Sequence, residues 1–209
     1  MAETKVVRKK TIKPKENNID LKNLEKFFGY WDESHQWLKD FINKNKDLKT
    51  GVEVGVAFGS NMKVLLEGTD LEKLFGVDPY VIDTWDLSGT LDVNLEYGGF
   101  DSLHDHVVEL LKPYGTRCKL IRMTSEEASK KFKDESLDFV FIDGDHFDIE
   151  NDIKYWESKV RDDGYIMGHD WKHPSFGNIT DFLLNYYGES VVGIDGPVHI
   201  WYVKKGAFM

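Results

Sequence analysis

The stretch from Thr50 to Asn61 reads Thr-Gly-Val-Glu-Val-Gly-Val-Ala-Phe-Gly-Ser-Asn. A short apolar strand pattern breaks into two glycines four apart, Gly55 and Gly59. It then reopens as a helix with Ser60 or Asn61 as the expected N-cap. A strand that passes through a glycine turn into a helix N-terminus makes a ligand cradle. Glycine lets the backbone turn sharply and approach a ligand closely, and the helix start offers unpaired N–H groups. The spacing is Glu-x-Gly-x-x-x-Gly, not the Gly-x-Gly-x-x-Gly of a dinucleotide site. A nicotinamide enzyme is therefore disfavoured.

The rest of the chain repeats the alternation that this stretch begins. An amphipathic helix over 33–45 carries Trp37, Leu38, Phe41 and Ile42 on one face. Strands are expected over 50–55, 74–77, 118–122, 137–142 and 165–167, with helices over 60–68, 100–112, from Thr124 onward, 148–159 and 176–187. The run Leu137-Asp138-Phe139-Val140-Phe141-Ile142 suits the buried middle of a parallel sheet. Val191 to Ile194 and Val198 to Val203, joined by Asp195-Gly196-Pro197, read as an antiparallel hairpin. This pattern predicts an α/β fold with a doubly wound sheet and helices on both faces. Ligands of such sheets sit beyond the carboxyl ends of the strands. Chemistry-bearing residues lie there: Glu53 to Gly59, Asp78, Thr124-Ser125, Asp143 to His146, and His169-Asp170.

Composition bounds the partners. The chain has 209 residues, 41% hydrophobic and 13% aromatic, enough for one folded domain. Its net charge is −10, which disfavours a nucleic-acid partner. Residues 1–16 hold Lys5, Arg8, Lys9, Lys10, Lys13 and Lys15 against Glu3 and Glu16. Residues 1–18 are expected to be a basic flexible tail, with a single domain over 19–209. Cys118 is alone, so no disulfide framework or cysteine metal site is expected, and a reducing compartment, the cytoplasm, fits. No apolar run reaches the ~20 residues that span a membrane, and the start lacks the apolar core of a signal peptide.

Asp78 closes strand two at Gly76-Val77-Asp78-Pro79. An acid there can accept both hydrogens of a ribose diol; the alternative is an Asp in an ordinary turn before proline. Val52 to Gly59 together with Gly76-Val77-Asp78 resembles class I S-adenosylmethionine (SAM)-dependent methyltransferases. Phe141-Ile142-Asp143-Gly144-Asp145-His146 and Gly164-Tyr165-Ile166-Met167-Gly168-His169-Asp170-Trp171 are similar to one branch, which includes metal-dependent O-methyltransferases of sugar hydroxyls. The resemblance covers roughly residues 48–204.

That resemblance implies a Rossmann-like seven-stranded sheet whose last strand is antiparallel. It implies SAM contacts along Gly55, Val56, Ala57, Gly59 and Ser60, with Glu53 near the cofactor's amino group. Asp78 would hold the ribose, and Thr124 and Ser125 would flank the adenine, with Asp143 also close to the cofactor. Asp143, His169 and Asp170 would ligate a divalent ion, Mg²⁺ in the resembling members. The position of His169 is usually a carboxylate there. Imidazole suits transition metals better than Mg²⁺, so either the ion is softer, such as Mn²⁺, or His169 is not a ligand.

A sugar hydroxyl must lose its proton as it attacks the sulfonium methyl. A metal lowers hydroxyl pKa, and a histidine near ~6.5 accepts the proton. The resemblance places the base at His146, with Asp143 beside it and Asp145 in reserve. Residues 80–99 would be the acceptor loop, in which Trp85, Tyr97, Asp83, Asp86 and Asp92 suit a sugar, though the same composition suits a solvated loop. Trp171 and His173 are further acceptor-side candidates. Trp37, Trp156 and Trp201 read as core or interface.

Three functions compete. The first is a SAM-dependent, metal-assisted O-methyltransferase acting on a sugar, glycoside or glycan hydroxyl. The second is a glycosyltransferase using Asp143-Gly144-Asp145 as a metal-binding Asp-x-Asp. The third is a non-catalytic SAM-binding scaffold. The oligomeric state is not readable.

Overall fold

The computed structural model describes residues 32–81 and 98–206. The basic segment 1–18, residues 19–31, and Trp85 with the rest of 82–97 lie outside them. In chain order the helices and strands are α1 (Asp32–Lys44), β1 (Thr50–Val54), α2 (Ser60–Gly68), β2 (Lys73–Val77), α3 (Phe100–Leu111), β3 (Cys118–Ile121), α4 (Ser125–Ser129), β4 (Leu137–Ile142), α5 (Ile149–Trp156), β5 (Val160–Gly168), α6 (Gly177–Tyr187), β6 (Val192–Ile194) and β7 (Ile200–Lys204). Among the described residues they build a seven-stranded sheet of order β3-β2-β1-β4-β5-β7-β6. The first five strands run parallel. β7 is antiparallel to both β5 and β6, so the expected hairpin closes the sheet.

Side chains of β4 alternate between two cores. Phe139 and Phe141 face the cluster of Leu38, Met62, Leu65 and Leu103. Val140 and Ile142 face Ile153, Trp156, Ile179 and Leu183. Helices therefore cover both faces, as a strand buried on both sides requires. Trp156 and Trp201 are fully buried, and Trp37 stacks on Phe41 at the edge of the first core.

Three local expectations are corrected. The N-cap of α2 is Gly59, at φ 78°, with no side-chain cap; Ser60 and Asn61 are already in the helix. Helix α5 ends at Trp156 and continues only as a short 3-10 turn, Glu157–Lys159. Strand β5 begins at Val160 rather than Tyr165. The polar Arg161-Asp162-Asp163 disguises that start, where pairing slips between Leu137 and Phe139. Asp163 takes φ 61°. Asp138 pins the irregularity: Oδ1 accepts from Arg161 Nε at 2.6 Å, and Oδ2 accepts from the Lys49 and Thr50 amides, each at 2.7 Å.

The strand order reverses between β1 and β4, and such a switch point opens a crevice at the carboxyl ends. There the Asp143 amide donates to Val54 O at 2.7 Å. Gly55, at φ 87°, lies so close that a Cβ would stand 2.1 Å from Asp143 O. Its glycine is thus demanded by the neighbouring strand end, before any ligand is considered. Among the described residues no helix is long and apolar enough to cross a membrane.

Candidate active site

The turn after β1 is wound with left-handed residues: Gly55, Ala57 at φ 48°, and Gly59. Asp78 holds it. Its Oδ2 accepts from the Val56 and Ala57 amides at 3.0 and 2.9 Å, and its Oδ1 from the Tyr80 amide at 2.7 Å. Burial raises the Asp78 pKa against the pull of these amides. A carboxylate oxygen can accept two hydrogen bonds, so Asp78 organises the turn with acceptor capacity to spare.

Close to this turn lie several buried polar groups without partners among the described residues. Glu53 is 2% exposed and its Oε2 has no hydrogen-bond partner among the described residues. The same holds for both amide atoms of Asn61 and for the hydroxyl of Tyr80, which is 1% exposed. Burial drives the Glu53 pKa well up, and the charges of Asp143 and Asp78 add to it. The Asn61 amide lies near enough to pull the other way without hydrogen-bond geometry. Buried polar groups are normally paired, so these orphaned groups fit a polar guest. The sequence reading takes Asn61 only as a candidate N-cap and Tyr80 only as the start of the acceptor loop, not as groups near Glu53. Their only signals were position: the first turn of the helix after Gly59, and two residues beyond Asp78.

The ends of β4 and β5 bring the predicted ionisable set together. One ligand atom each from Asp143, His169 and Asp170 lies within 4.8 Å of the others. His169 Nδ1 is 3.0 Å from Asp170 Oδ1 and 3.7 Å from Asp143 Oδ1. His146 Nδ1 stands 2.6 Å from Asp170 Oδ2. Asp170 sits at φ 68°, which aims its carboxylate between the two imidazoles. Burial would raise Asp170, but the hydrogen bonds and charges of His146 and His169 win and hold it far below the usual carboxylate range. Burial would lower His146, but Asp170, with Asp143 and Asp145 behind it, pushes it up to about 9. His169 is likewise raised, against its burial, by Asp143 and Asp170. Asp143 is pushed up to about 6 by burial, partly offset by His169.

These residues fit a divalent ion. Asp143 Oδ1 is buried with no hydrogen-bond partner among the described residues. Two carboxylates and an imidazole converge on it, a donor set that hard and borderline ions accept. The orphaned Glu53 oxygen fits an ammonium. Glu53, Asp78, Asp143 and Asp170 all lie at or next to the carboxyl ends of their strands, where acidic groups favour cationic ligands.

The other predicted residues are placed differently. Thr124 is spent on a capping box with Glu127, accepting from its amide at 3.3 Å. Ser125 Oγ accepts from the Trp156 indole at 2.8 Å. Asp152, beside it, is pushed up to about 6 by burial, against the Ser125 hydrogen bond. Asp145 Oδ1 accepts from the Phe147 amide at 2.9 Å and is not part of the Asp143–His169–Asp170 group. Trp171 corrects an expectation. It is 6% exposed, its indole donates to Asp195 at 3.0 Å, and it lies against Gly193 so closely that a Cβ there would overlap the ring. It therefore packs the hairpin and offers no face to an acceptor. His173 is half-buried and stacks on Phe176 at 5.0 Å.

A second, open cleft of about 460 Å³ lies at the other end of β2, lined by Thr69, Asp70, Leu71, Glu72 and Arg117. Arg117 is spent there on the carbonyls of Leu71 and Thr69, and no comparable set converges on it.

A family model described as a methyltransferase domain matches residues 52–171. An uncharacterized protein of Sinorhizobium fredii, y4gI, is 24% identical over 138 residues, which are 64% of this chain. The chain spans only about 14% of that relative's length. Among solved structures, a candidate caffeoyl-CoA O-methyltransferase from Staphylococcus aureus aligns with TM-score 0.65 at 12% identity, over 90% of this chain and 93% of its own. An O-methyltransferase from Bacillus cereus in complex with SAH aligns with TM-score 0.59 at 13% identity, over 88% and 90%. At such identities these likenesses show the fold.

Proposed function

The chain belongs to the methyltransferase-domain family that its residues 52–171 match, and from that premise we propose a SAM-dependent, divalent-metal-assisted O-methyltransferase acting on a hydroxyl of a sugar or glycoside. One observation carries this reading. Glu53 on β1 carries an orphaned buried oxygen and feels the charge of Asp143, and Asp143 converges just beyond β4 with His169 and Asp170, the partner of His146.

SAM bound there supplies an electrophilic methyl on a sulfonium, and a divalent ion supplies Lewis acidity toward the acceptor hydroxyl. The chain's residues do the rest. Glu53 pairs with the cofactor's ammonium, and Asn61 and Tyr80 offer the polar groups around it. Asp78 keeps the turn closed through three amides and has one acceptor site left, for a single ribose hydroxyl. Asp143, Asp170 and His169 hold the ion. His146 has Nδ1 committed to Asp170, and Nε2 takes the acceptor's proton from the neutral form of the ring, a fraction that grows as pH rises toward about 9. Asp170 fixes the ring's tautomer, as the orienting acid of a base does. The crevice walls align oxygen, carbon and sulfur and exclude water. The methyltransferase-domain match over residues 52–171 favours SAM over the nucleotide diphosphate that a glycosyltransferase would bind.

The test is methyl transfer from labelled SAM onto a panel of glycosides, with and without thorough EDTA treatment. The expected result is transfer to a hydroxyl that stops on chelation and returns with Mg²⁺ or Mn²⁺. Full transfer after chelation removes the metal from the reading. Transfer to phenols but to no glycoside of the panel removes the sugar.

A further inference from the structure

Phe147 follows His146 directly and is 71% exposed. Its amide is pinned by Asp145 Oδ1, so the ring projects from an ordered loop. Phe176, from the loop before α6, lies under both residues. His146 stacks on it at 4.4 Å between centroids and 18° between planes, and Phe147 meets it edge-on at 5.9 Å and 79°. His173 stacks on the same ring at 5.0 Å and 23°. The proton acceptor and an exposed aromatic thus share one supporting ring. Beyond its edge contact with Phe176, most of the Phe147 ring faces water. Its area is recovered only when an apolar face covers it.

We propose that Phe147, backed by Phe176, is the acceptor platform: the C–H face of a pyranose lies on the Phe147 ring, which brings a neighbouring hydroxyl to His146. This rests on the sugar reading above and names the residue that binds the sugar. Aromatic rings suit this task because their electron-rich faces attract the polarised C–H groups of a sugar, and their two χ angles cost little to fix. The hydroxyls on the ring's edge remain free for the carboxylates and His146. Phe147 contacts the acceptor and takes no part in holding SAM or the ion.

The experiment is saturation-transfer NMR with methyl glycosides of glucose, galactose, mannose and rhamnose, in the presence of S-adenosylhomocysteine and Mg²⁺. The wild type should saturate the C–H protons of one face of at least one glycoside. Phe147→Ala should weaken that glycoside about tenfold, the order expected for an aromatic contact of about 1.4 kcal/mol. Phe147→Tyr should restore it, and S-adenosylhomocysteine affinity should not change in either variant. Equal glycoside affinity in Phe147→Ala and wild type overturns the platform, as does a panel in which the wild type binds none. The same panel in the transfer assay separates the two ideas. Phe147-dependent binding without methylation leaves the platform and removes the sugar-methylating reading. Methylation that Phe147→Ala does not slow removes the platform and leaves that reading.

Discussion

His146 and Asp170, 24 residues apart in sequence, meet through Nδ1 and Oδ2 at 2.6 Å, in a pocket where the carboxylate is 3% exposed. The second oxygen of Asp170 faces His169 Nδ1 at 3.0 Å. One buried carboxylate therefore orients two imidazoles, one proposed as the base and one as a metal ligand. The arrangement depends on a left-handed backbone at Asp170, a conformation that Asp and Asn tolerate better than other non-glycine residues.

That tolerance makes Asp170→Asn a clean probe. The amide keeps the backbone and can still accept from His146 Nδ1, but the charge is gone. The His146 pKa, about 9 in the wild type, should fall. A histidine raised above its ordinary 6.5 adds stability that is complete below 6.5 and lost as pH rises through about 9. Wild type should therefore exceed Asp170→Asn in urea stability at pH 6, and the gap should shrink by pH 10. Methyl transfer at pH 7.5 should drop at least ~100-fold. Imidazole titration by NMR reads the first effect; an unchanged His146 pKa would falsify the ion-pair account.

His146→Ala tests the base alone. The ring is half-buried and carries no cofactor contact in this reading, so S-adenosylhomocysteine affinity by calorimetry should stay within about twofold of wild type. Turnover should fall by roughly 10²–10⁴, the usual contribution of a positioned base. Wild-type turnover in this variant would transfer the role elsewhere, with Asp145 next in line.

Much of this was legible in the sequence, because strand ends in an α/β alternation face one side. The apolar run at 137–142 and the glycine break after Val54 together predict where Asp143, His169 and Asp170 converge. What lay hidden depends on backbone detail that residue type does not announce. The bridging by Asp170 needs φ 68°. The burial of Trp171 needs Gly193 beneath it. The start of β5 hides behind Arg161-Asp162-Asp163 because Asp138, on the neighbouring strand, absorbs their irregularity. The site role of Asn61 and Tyr80 was hidden for another reason. A polar side chain is informative when its partner is missing, and only coordinates show that.

Glu53→Gln separates stability from function. Glu53 is buried beside Asp143 and Asp78, and its pKa is driven well up by burial first and those charges second. A carboxyl so raised stabilises the folded protein while protonated, and that contribution is lost as pH rises through its folded pKa. The neutral isostere should therefore match wild type in melting temperature at pH 5 and exceed it at pH 8.5 without ligand. Its affinity for SAM should be at least ~10-fold weaker, since the ammonium loses its counter-charge. Calorimetry and a melting series check both arms. A variant that gains stability and keeps full affinity would sever Glu53 from the cofactor.

Gly55→Ala and Gly59→Ala should differ sharply although both glycines have positive φ, 87° and 78°. At Gly55 an added Cβ meets Asp143 O at 2.1 Å and Gly144 Cα at 2.6 Å, both backbone atoms of the adjacent strand end. Neither can retreat without breaking the bond from the Asp143 amide to Val54 O, which ties the switch point shut. At Gly59 the first contact is Val107 Cγ1 at 3.0 Å, a side chain on α3 that can rotate or shift. Ala57 already occupies φ 48° in the same turn, so the turn accepts an alanine where space allows. Gly59→Ala should cost about 1 kcal/mol of left-handed strain, leaving a folded protein. Gly55→Ala adds a backbone collision and should cost about 4 kcal/mol or more, in the range reserved for overpacked or strained sites. Urea unfolding of the two variants gives the comparison. Because Asp143 moves with the clash, Gly55→Ala should also lose divalent-ion binding, measured by calorimetry with Mn²⁺, while Gly59→Ala retains it. Similar stabilities for the two variants would show that the β4 end yields freely and that Gly55 is not what sets the position of Asp143.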